Sequence, residues 1–333
     1  MATQNKYAAA HASPTGPGDA RPTAMSIVED EGVVGKLTDK VIIITGCSSG
    51  IGIETARALH VTGAHLFLTV RDTQKGEAVV KDILGSGTSH GKVELLKLEL
   101  DSLASVKVCV SDFLSKSPKL NVLINNAGVM ATPEGRTRDG FETQFGTNHV
   151  AHFLLFKLLE PTLLASSTPE FNSRVVSLAS SGHQTNGVLF DDLDFKKAGY
   201  NPWAAYGQSK TANIYLANEI ERRYGSKGLH ATSVMPGGIM TPLARHMDPG
   251  NVEAMLTPEL KAKVKSLEQG AATTVWAAIG KHWEGKGGKY LEDCGVSQPF
   301  QEGDVIKGYA PHAYEEEASK KLWDVSLKLV GLD

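Results

Sequence analysis

Cysteine is scarce: Cys47, Cys109 and Cys294 are the only three in 333 residues, and they stand far apart. An odd, scattered set fits neither a disulfide framework nor a zinc cluster, so a reducing compartment is the simpler reading. Long apolar runs are missing as well. No stretch approaches the ~20 consecutive apolar residues that a membrane helix needs, so no membrane anchor is expected and the reading is a soluble, cytoplasmic protein. There is no basic excess either, with 34 Lys+Arg against 37 Asp+Glu and a net charge of -3. Nucleic acid is therefore disfavoured as a partner. With 41% hydrophobic and 21% charged residues, wholesale disorder is excluded too.

Residues 1–36 lack hydrophobic periodicity and are rich in Ala, Gly, Pro, Ser and Thr. They read as a flexible extension, mobile or loosely docked, that carries no chemistry. The short Tyr7–Ala10 run falls below the roughly 7–15 apolar residues of a secretory core. The acid-poor first 18 residues resemble a transit peptide in that one respect, but Arg is absent from them, and organelle import is not favoured.

From Asp39 the pattern changes. Val41-Ile42-Ile43-Ile44-Thr45 is a β-branched run stopped by Gly46, as a strand buried on both faces should be. His65–Val70, Val93–Leu98, Asn121–Ile124, Arg174–Leu178 and His230–Val234 repeat the signal. Helical stretches lie between them at Ile51–Thr62, Thr73–Leu84, Ser105–Leu114, Thr143–Leu164 and Trp203–Tyr224. Such alternation implies right-handed βαβ units. The expected fold is α/β, a Rossmann-type doubly wound parallel sheet of about seven strands with helices on both faces, forming one domain over residues 37–333. The irregular Pro242–Thr257 piece follows the last core strand, and a substrate lid is expected around residues 242–268.

Thr45-Gly46-Cys47-Ser48-Ser49-Gly50-Ile51-Gly52 joins the first strand to the first helix of this pattern. Glycines let the backbone turn tightly and approach a pyrophosphate, while the helix start offers unpaired N–H groups. Gly46, Ser48, Ser49, Gly50, Ile51 and Gly52 are accordingly the candidate phosphate-loop contacts. The end of the second strand reads the adenosine ribose: an acid binds the free 2′-hydroxyl of NAD, an arginine the 2′-phosphate of NADP. Val70-Arg71-Asp72 puts no acid at the expected place, and Arg71 follows at once, so NADP(H) is favoured over NAD(H). Asp72 either pairs with Arg71 or reaches the ribose.

Tyr206 and Lys210 stand four apart near a helix start, hence on one face. Ser180 ends the preceding strand and Asn148 lies on the helix after the fourth strand, and strand ends and helix starts converge in this topology. The ordered set is specific. The Thr-Gly-x3-Gly-Ile-Gly loop at 45–52, Asn125-Asn126-Ala127-Gly128, Asn148, Ser180, Tyr206-x3-Lys210 and Pro236-Gly237 with Thr241 together resemble the short-chain dehydrogenase/reductase family over roughly residues 38–330. Asn148–Phe153, Gly270–Thr274 and Gly288–Leu291 resemble its retinol-dehydrogenase-like branch, which includes the catalytic part of the WW-domain oxidoreductase.

That resemblance implies a role for each residue. Tyr206 exchanges a proton with the substrate oxygen, Lys210 lowers its pKa and holds the nicotinamide ribose, Ser180 fixes the substrate, and Asn148 orders a relay water. Asn126, Ala127 and Gly128 flank the adenosine ribose, and Pro236, Gly237, Ile239 and Thr241 meet the nicotinamide. Two departures stand out: Glu99, followed by Leu100, sits where the family has an aspartate near the adenine, with Asp101 as the alternative, and the membrane anchor common in retinol dehydrogenases is not seen. Pairing through the helices of Asn148 and Tyr206 implies a homodimer or homotetramer. The expected substrate is a small lipophilic ketone, aldehyde or secondary alcohol, polyketide and isoprenoid intermediates included. Alternatives are a non-catalytic NADP sensor and a sugar-nucleotide epimerase. His183, three residues after Ser180, offers a Ser–His hydrolase only superficially, since no nucleophile elbow precedes it.

Overall fold

The computed structural model describes residues 6–86, 91–248, 250, 257–301 and 306–333. Its frame is one eight-stranded sheet in the order β3-β2-β1-β4-β5-β6-β7-β8. The strands are β1 (Val41–Thr45), β2 (His65–Val70), β3 (Val93–Lys97), β4 (Val122–Asn125), β5 (Ser173–Leu178), β6 (Leu229–Met235), β7 (Lys289–Glu292) and β8 (Gly295–Val296). All neighbours are parallel except β7 and β8. The eighth strand, beyond the expected seven, is a two-residue antiparallel return, too short to leave a periodic signal.

β1 is buried along its whole length, as are β4, β5 and β6, because helices cover both faces. One layer holds α3 (Ile51–His60) and the Leu267–Ile279 helix; the other holds α5 (Leu103–Lys116), the Ala151–Ser166 helix and α8 (Pro202–Tyr224). α4 (Thr73–Gly85) flanks β2 and β3. Short polar side chains start several of these helices: Asp72 accepts from Lys75 N, Ser102 from Ser105 N, and Asn201 from Trp203 N and Ala204 N. Each such cap stabilises by about 1 kcal/mol. Strand order reverses between β1 and β4, so loops from both halves meet above their carboxyl ends, where sheets of this type bind ligands.

The helix after β4 begins as α6 (Thr143–Phe145), passes through a π-turn at Gly146–Val150 and continues as α7 (Ala151–Ser166). Such turns often mark functional positions, and this one carries Asn148. The expected lid resolves into a 3₁₀ turn at Pro242–His246 and a helix α9 (Pro258–Lys263), with residue 249 and residues 251–256 outside the described residues. α10 (Leu267–Ile279) follows behind the capping box of Ser266 and Gln269.

The expected flexible extension is different in the structure. From Lys6 onward it is folded onto the domain, with α1 (Ala8–Ala12) and α2 (Ala24–Asp30). Ile27 and Val28 are fully buried in the cluster that contains Ala271 and Val275 of α10, and burial of each is worth roughly 1.5–3 kcal/mol. Arg21 is 4% exposed. Its guanidinium donates to the carbonyls of Gly16, Lys263 and Val264 at 3.0, 2.8 and 2.6 Å. Gln269 Nε2 in turn donates to the carbonyls of Asp19 and Arg21.

The expected pairing face is also covered. α11 (Glu316–Val330) lies across α7 and α8. Trp323 sits edge-on to Phe153 at 5.2 Å and beneath the Arg223 guanidinium at 4.5 Å. Ser326 Oγ is 2.9 Å from His149 Nε2.

Candidate active site

The loop after β1 is shaped by its glycines. Gly46 has φ +74° and Gly50 φ +66°, backbone conformations that suit glycine. A Cβ on Gly52 would stand 2.4 Å from Gly46 O, so only glycine lets α3 start this close to the strand. α3 has no side-chain cap, which leaves its first N–H groups available to an anion. Ser49 is exposed, while Ser48 and Ile51 are half-buried. The neighbouring Cys47 is buried, and burial pushes its thiol far up, so it is inert.

Asn126 and Ala127 are fastened to this loop. Thr45 Oγ1 accepts from Asn126 N and Ala127 N, both at 2.9 Å, and Asn126 Nδ2 donates to Thr45 O at 2.7 Å. His152 closes the network: its Nδ1 donates to Asn148 O at 2.9 Å, and its Nε2 lies 3.0 Å from Thr45 Oγ1. Burial lowers this imidazole to about 4, so the ring is neutral and Nε2 accepts the threonine proton. His152 thus ties the glycine loop to the Asn148 turn. No group of three or more His, Cys, Asp or Glu among the described residues is placed to hold a metal.

Asn148 is fully buried. Its Oδ1 accepts from Val129 N at 2.8 Å, and its Nδ2 donates to Val129 O and Ser209 Oγ, both at 2.9 Å. A Cβ on Gly128 would meet Asn148 Oδ1 at 3.1 Å and Lys210 Nζ at 3.5 Å. The amide and the ammonium therefore flank the same glycine.

Tyr206, Lys210 and Ser180 meet beside them. Lys210 Nζ donates to Leu178 O at 3.1 Å and lies 5.5 Å from the centre of the Tyr206 ring. Burial pushes the Tyr206 phenol up to about 12, opposed by a hydrogen bond with Ser180, and brings the Lys210 ammonium down to about 8. One desolvation disfavours both charges, so a phenolate here depends on the lysine remaining positive. Gly182 N donates to Ser180 Oγ at 3.0 Å, and a Cβ on Gly182 would stand 2.8 Å from two carbons of the tyrosine ring. Gly182 carries no signal in the sequence beyond its position in Ser180-Ser181-Gly182.

The loop after β6 approaches from the other side. The Thr241 side chain lies 3.6 Å from the place of a Gly50 Cβ. Ile239 and Ile51 both crowd Gly270. Pro236 O accepts from Lys265 Nζ at 3.1 Å, and Gly237 has φ +113° with that lysine stem against it. Lys265, unmarked in the sequence, is buried in an ion pair of 2.8 Å with Asp293.

At the end of β2, Arg71 is exposed, while the Asp72 carboxylate caps α4 at 3.2 Å. Glu99 is bound by Lys97 and Arg138, and Asp101 also reaches Arg138, at 3.3 Å. Both candidate acids thus end in ion pairs; Leu100 beside them is half-buried.

A glycine cradle at the switch point of a doubly wound sheet, with serine, tyrosine and lysine above it, defines a nucleotide-binding oxidoreductase of the α/β class. Residues 40–191 match the family model described as short chain dehydrogenase. The chain is 53% identical over 329 residues to the short-chain dehydrogenase/reductase prx1 of Penicillium roqueforti, covering 98% of this chain and 95% of that one. It is 37% identical to human retinol dehydrogenase 13, covering 88% and 85%. A solved structure from Mycobacterium paratuberculosis, described as a putative uncharacterized protein, superposes with TM-score 0.65 at 32% identity, covering 88% of this chain and 93% of that one. The chain belongs to the short-chain dehydrogenase/reductase family, in a branch that includes retinol-dehydrogenase-like members. It is by class an oxidoreductase of alcohol and carbonyl groups that uses a nicotinamide cofactor. Among the described residues, no helix is long and apolar enough to cross a membrane.

Proposed function

We propose that the chain is an NADP(H)-dependent oxidoreductase interconverting a lipophilic ketone or aldehyde with its alcohol. The observation that carries this reading is the convergence of Ser180, Tyr206 and Lys210 beside a glycine cradle that side chains would block. The cradle residues fit a dinucleotide: Gly46 to Gly52 with Ser48, Ser49 and Ile51 take the pyrophosphate, and Asn126, Ala127 and Gly128 line the adenosine ribose. Arg71 meets the 2′-phosphate, which favours NADP(H) because Asp72 is engaged as a cap. Leu100 borders the adenine, beside Glu99 in its ion pair with Arg138. Pro236, Gly237, Ile239 and Thr241 bound the nicotinamide end.

The bound nicotinamide supplies or accepts the hydride. Ser180 donates its hydroxyl proton to the substrate oxygen and so orients the carbonyl. Tyr206, held protonated by its burial, gives its phenolic proton to that oxygen during reduction. Lys210 holds the ribose hydroxyls and compensates the phenolate that remains. Asn148 has its amide nitrogen committed to Val129 and Ser209, so a relay water would bind at the free lone pair of its Oδ1.

Trp203, 41% exposed and edge-on to Tyr206 at 6.3 Å, and Met240, 57% exposed, give the site apolar surroundings. That supports a lipophilic substrate, a polyketide or isoprenoid intermediate of secondary metabolism included. Three buried free cysteines suit the cytoplasm. Closure of the α7–α8 face by α11 supports a monomer over the dimer or tetramer implied by the resemblance.

The test is oxidation of NADPH and NADH across a panel of lipophilic aldehydes and ketones, with Tyr206→Phe alongside. Turnover with NADPH that disappears in the variant supports the reading. Tight NADPH binding with no turnover on any carbonyl favours the sensor, and failure to bind either nucleotide refutes both.

A further inference from the structure

The 3₁₀ turn after β5 (Ser181–Thr185) carries His183, whose ring is fully buried yet hydrogen-bonded at both nitrogens. Nδ1 lies 2.6 Å from Ser180 O. A carbonyl only accepts, so Nδ1 bears the proton. Nε2 accepts from Ala310 N at 3.1 Å and therefore bears none. Both nitrogens are assigned by their partners and the ring is neutral, in keeping with burial that lowers it to about 4. Tyr290 packs on the ring at 4.9 Å.

The same turn is held from the carboxyl-terminal segment. His312 Nε2 donates to His183 O at 2.8 Å, and Gln184 Nε2 donates to Lys307 O and Gly308 O, each at 2.9 Å. Since Nδ1 faces the Ser180 carbonyl, His183 is not a base for the Ser180 hydroxyl, and the hydrolase alternative has no geometry here.

We propose that His183 is a positioning residue: its Nδ1–H, oriented by the Ala310 N–H, fixes the Ser180 backbone so that the Ser180 hydroxyl stays aimed beside Tyr206. The inference rests on the reading that Ser180 holds the substrate oxygen. Without the bond, the Ser180 carbonyl keeps only the His183 backbone N–H at 3.1 Å, and the serine settles into other positions, while the phosphate loop and the Lys210 contact are untouched. Hydride transfer should therefore slow while the nucleotide still binds.

The experiment compares His183→Asn, His183→Gln and His183→Ala with wild type and with Tyr206→Phe. It measures kcat for carbonyl reduction, the NADPH dissociation constant by fluorescence, and the urea midpoint. Asn places an amide N–H near the Nδ1 position, whereas Gln reaches only toward Nε2. Ala and Gln are expected to lose about 10–100-fold in kcat, the scale of a small misplacement in a catalytic group, with NADPH binding within about twofold. Asn should recover most of the loss. Recovery by Gln instead of Asn overturns the proposal, as does a kcat loss that only follows the loss in urea midpoint. Nitrogen-15 NMR of the unmutated protein is a check that requires no variant to fold: an Nδ1–H tautomer is expected, and an Nε2–H tautomer refutes the assignment. If wild type binds NADPH but reduces no carbonyl, the underlying reading fails and this inference with it. If wild type turns over, Tyr206→Phe is dead and His183→Ala is unimpaired, only the inference fails.

Discussion

Gly182→Ala would place a methyl 2.8 Å from Cδ1 and Cε1 of Tyr206, where ordinary contact begins at 3.4 Å, so the ring must retreat by about 0.6 Å. The ring is 4% exposed, and its helix is packed between the sheet and α11, so the displacement has little room to relax. Overpacking of this kind costs roughly 1–3 kcal/mol of stability. Its larger effect is on the phenol, which moves relative to Ser180 and the substrate oxygen; misplacements approaching 1 Å cost up to about 10²-fold in rate. We therefore expect kcat for NADPH-dependent carbonyl reduction to fall about 10–100-fold, with NADPH affinity unchanged because the cradle lies elsewhere. Gly85→Ala is the control, since nothing lies within 4 Å of its Cβ. A folded Gly182→Ala protein with kcat within about twofold of wild type would refute the claim that close approach of this backbone fixes the tyrosine.

Other expectations concern charge and assembly. In the proposed mechanism reduction needs Tyr206 protonated and Lys210 charged; the lysine, lowered to about 8, loses its proton as pH rises through that value. The kcat/KM for the carbonyl should thus be flat near neutrality and fall above about pH 8, and a profile flat to about pH 10 would count against this. Arg71→Ala should weaken NADPH about 10–100-fold, the worth of a charge-assisted bond to phosphate, while leaving NADH nearly unchanged; equal losses for both would remove the arginine from specificity. Sedimentation equilibrium should give the mass of one chain, and a stable dimer would show that another face than α7–α8 serves as interface.

The parallel sheet could be read from sequence because its strands are short β-branched runs buried on both faces: Val41–Thr45 and His65–Val70 match the read segments end to end. The place of the glycine loop between β1 and α3, and the shared helix of Tyr206 and Lys210, could be read because both are local spacings. The folded state of residues 6–36 could not be, since the arm is held by a few isolated apolar side chains, Ile27 and Val28 among them, and by the Arg21 guanidinium on distant carbonyls. Neither is periodic. The cover that α11 places on α7 and α8 could not be read, because an amphipathic pattern does not name its partner. The spacing of His183 from Ser180 suggests only a nucleophile's base, and its actual contact, a backbone carbonyl, has no sequence signature. Glu99 lay where the family pattern put it, yet Lys97 and Arg138 had claimed it.

Arg21 meets Lys263 and Val264 across 242 and 243 residues of chain. On a ribosome that adds about 5–20 residues per second, roughly 12–50 s separate the emergence of the arginine from that of its acceptors. During that interval Ile27 and Val28 have no α10 to bury against, so the nascent arm is open to chaperones and proteases. Its docking requires the last third of the chain, and it locks a molecule whose sheet is already largely formed. Residues 6–36, made early, are among the last to be placed.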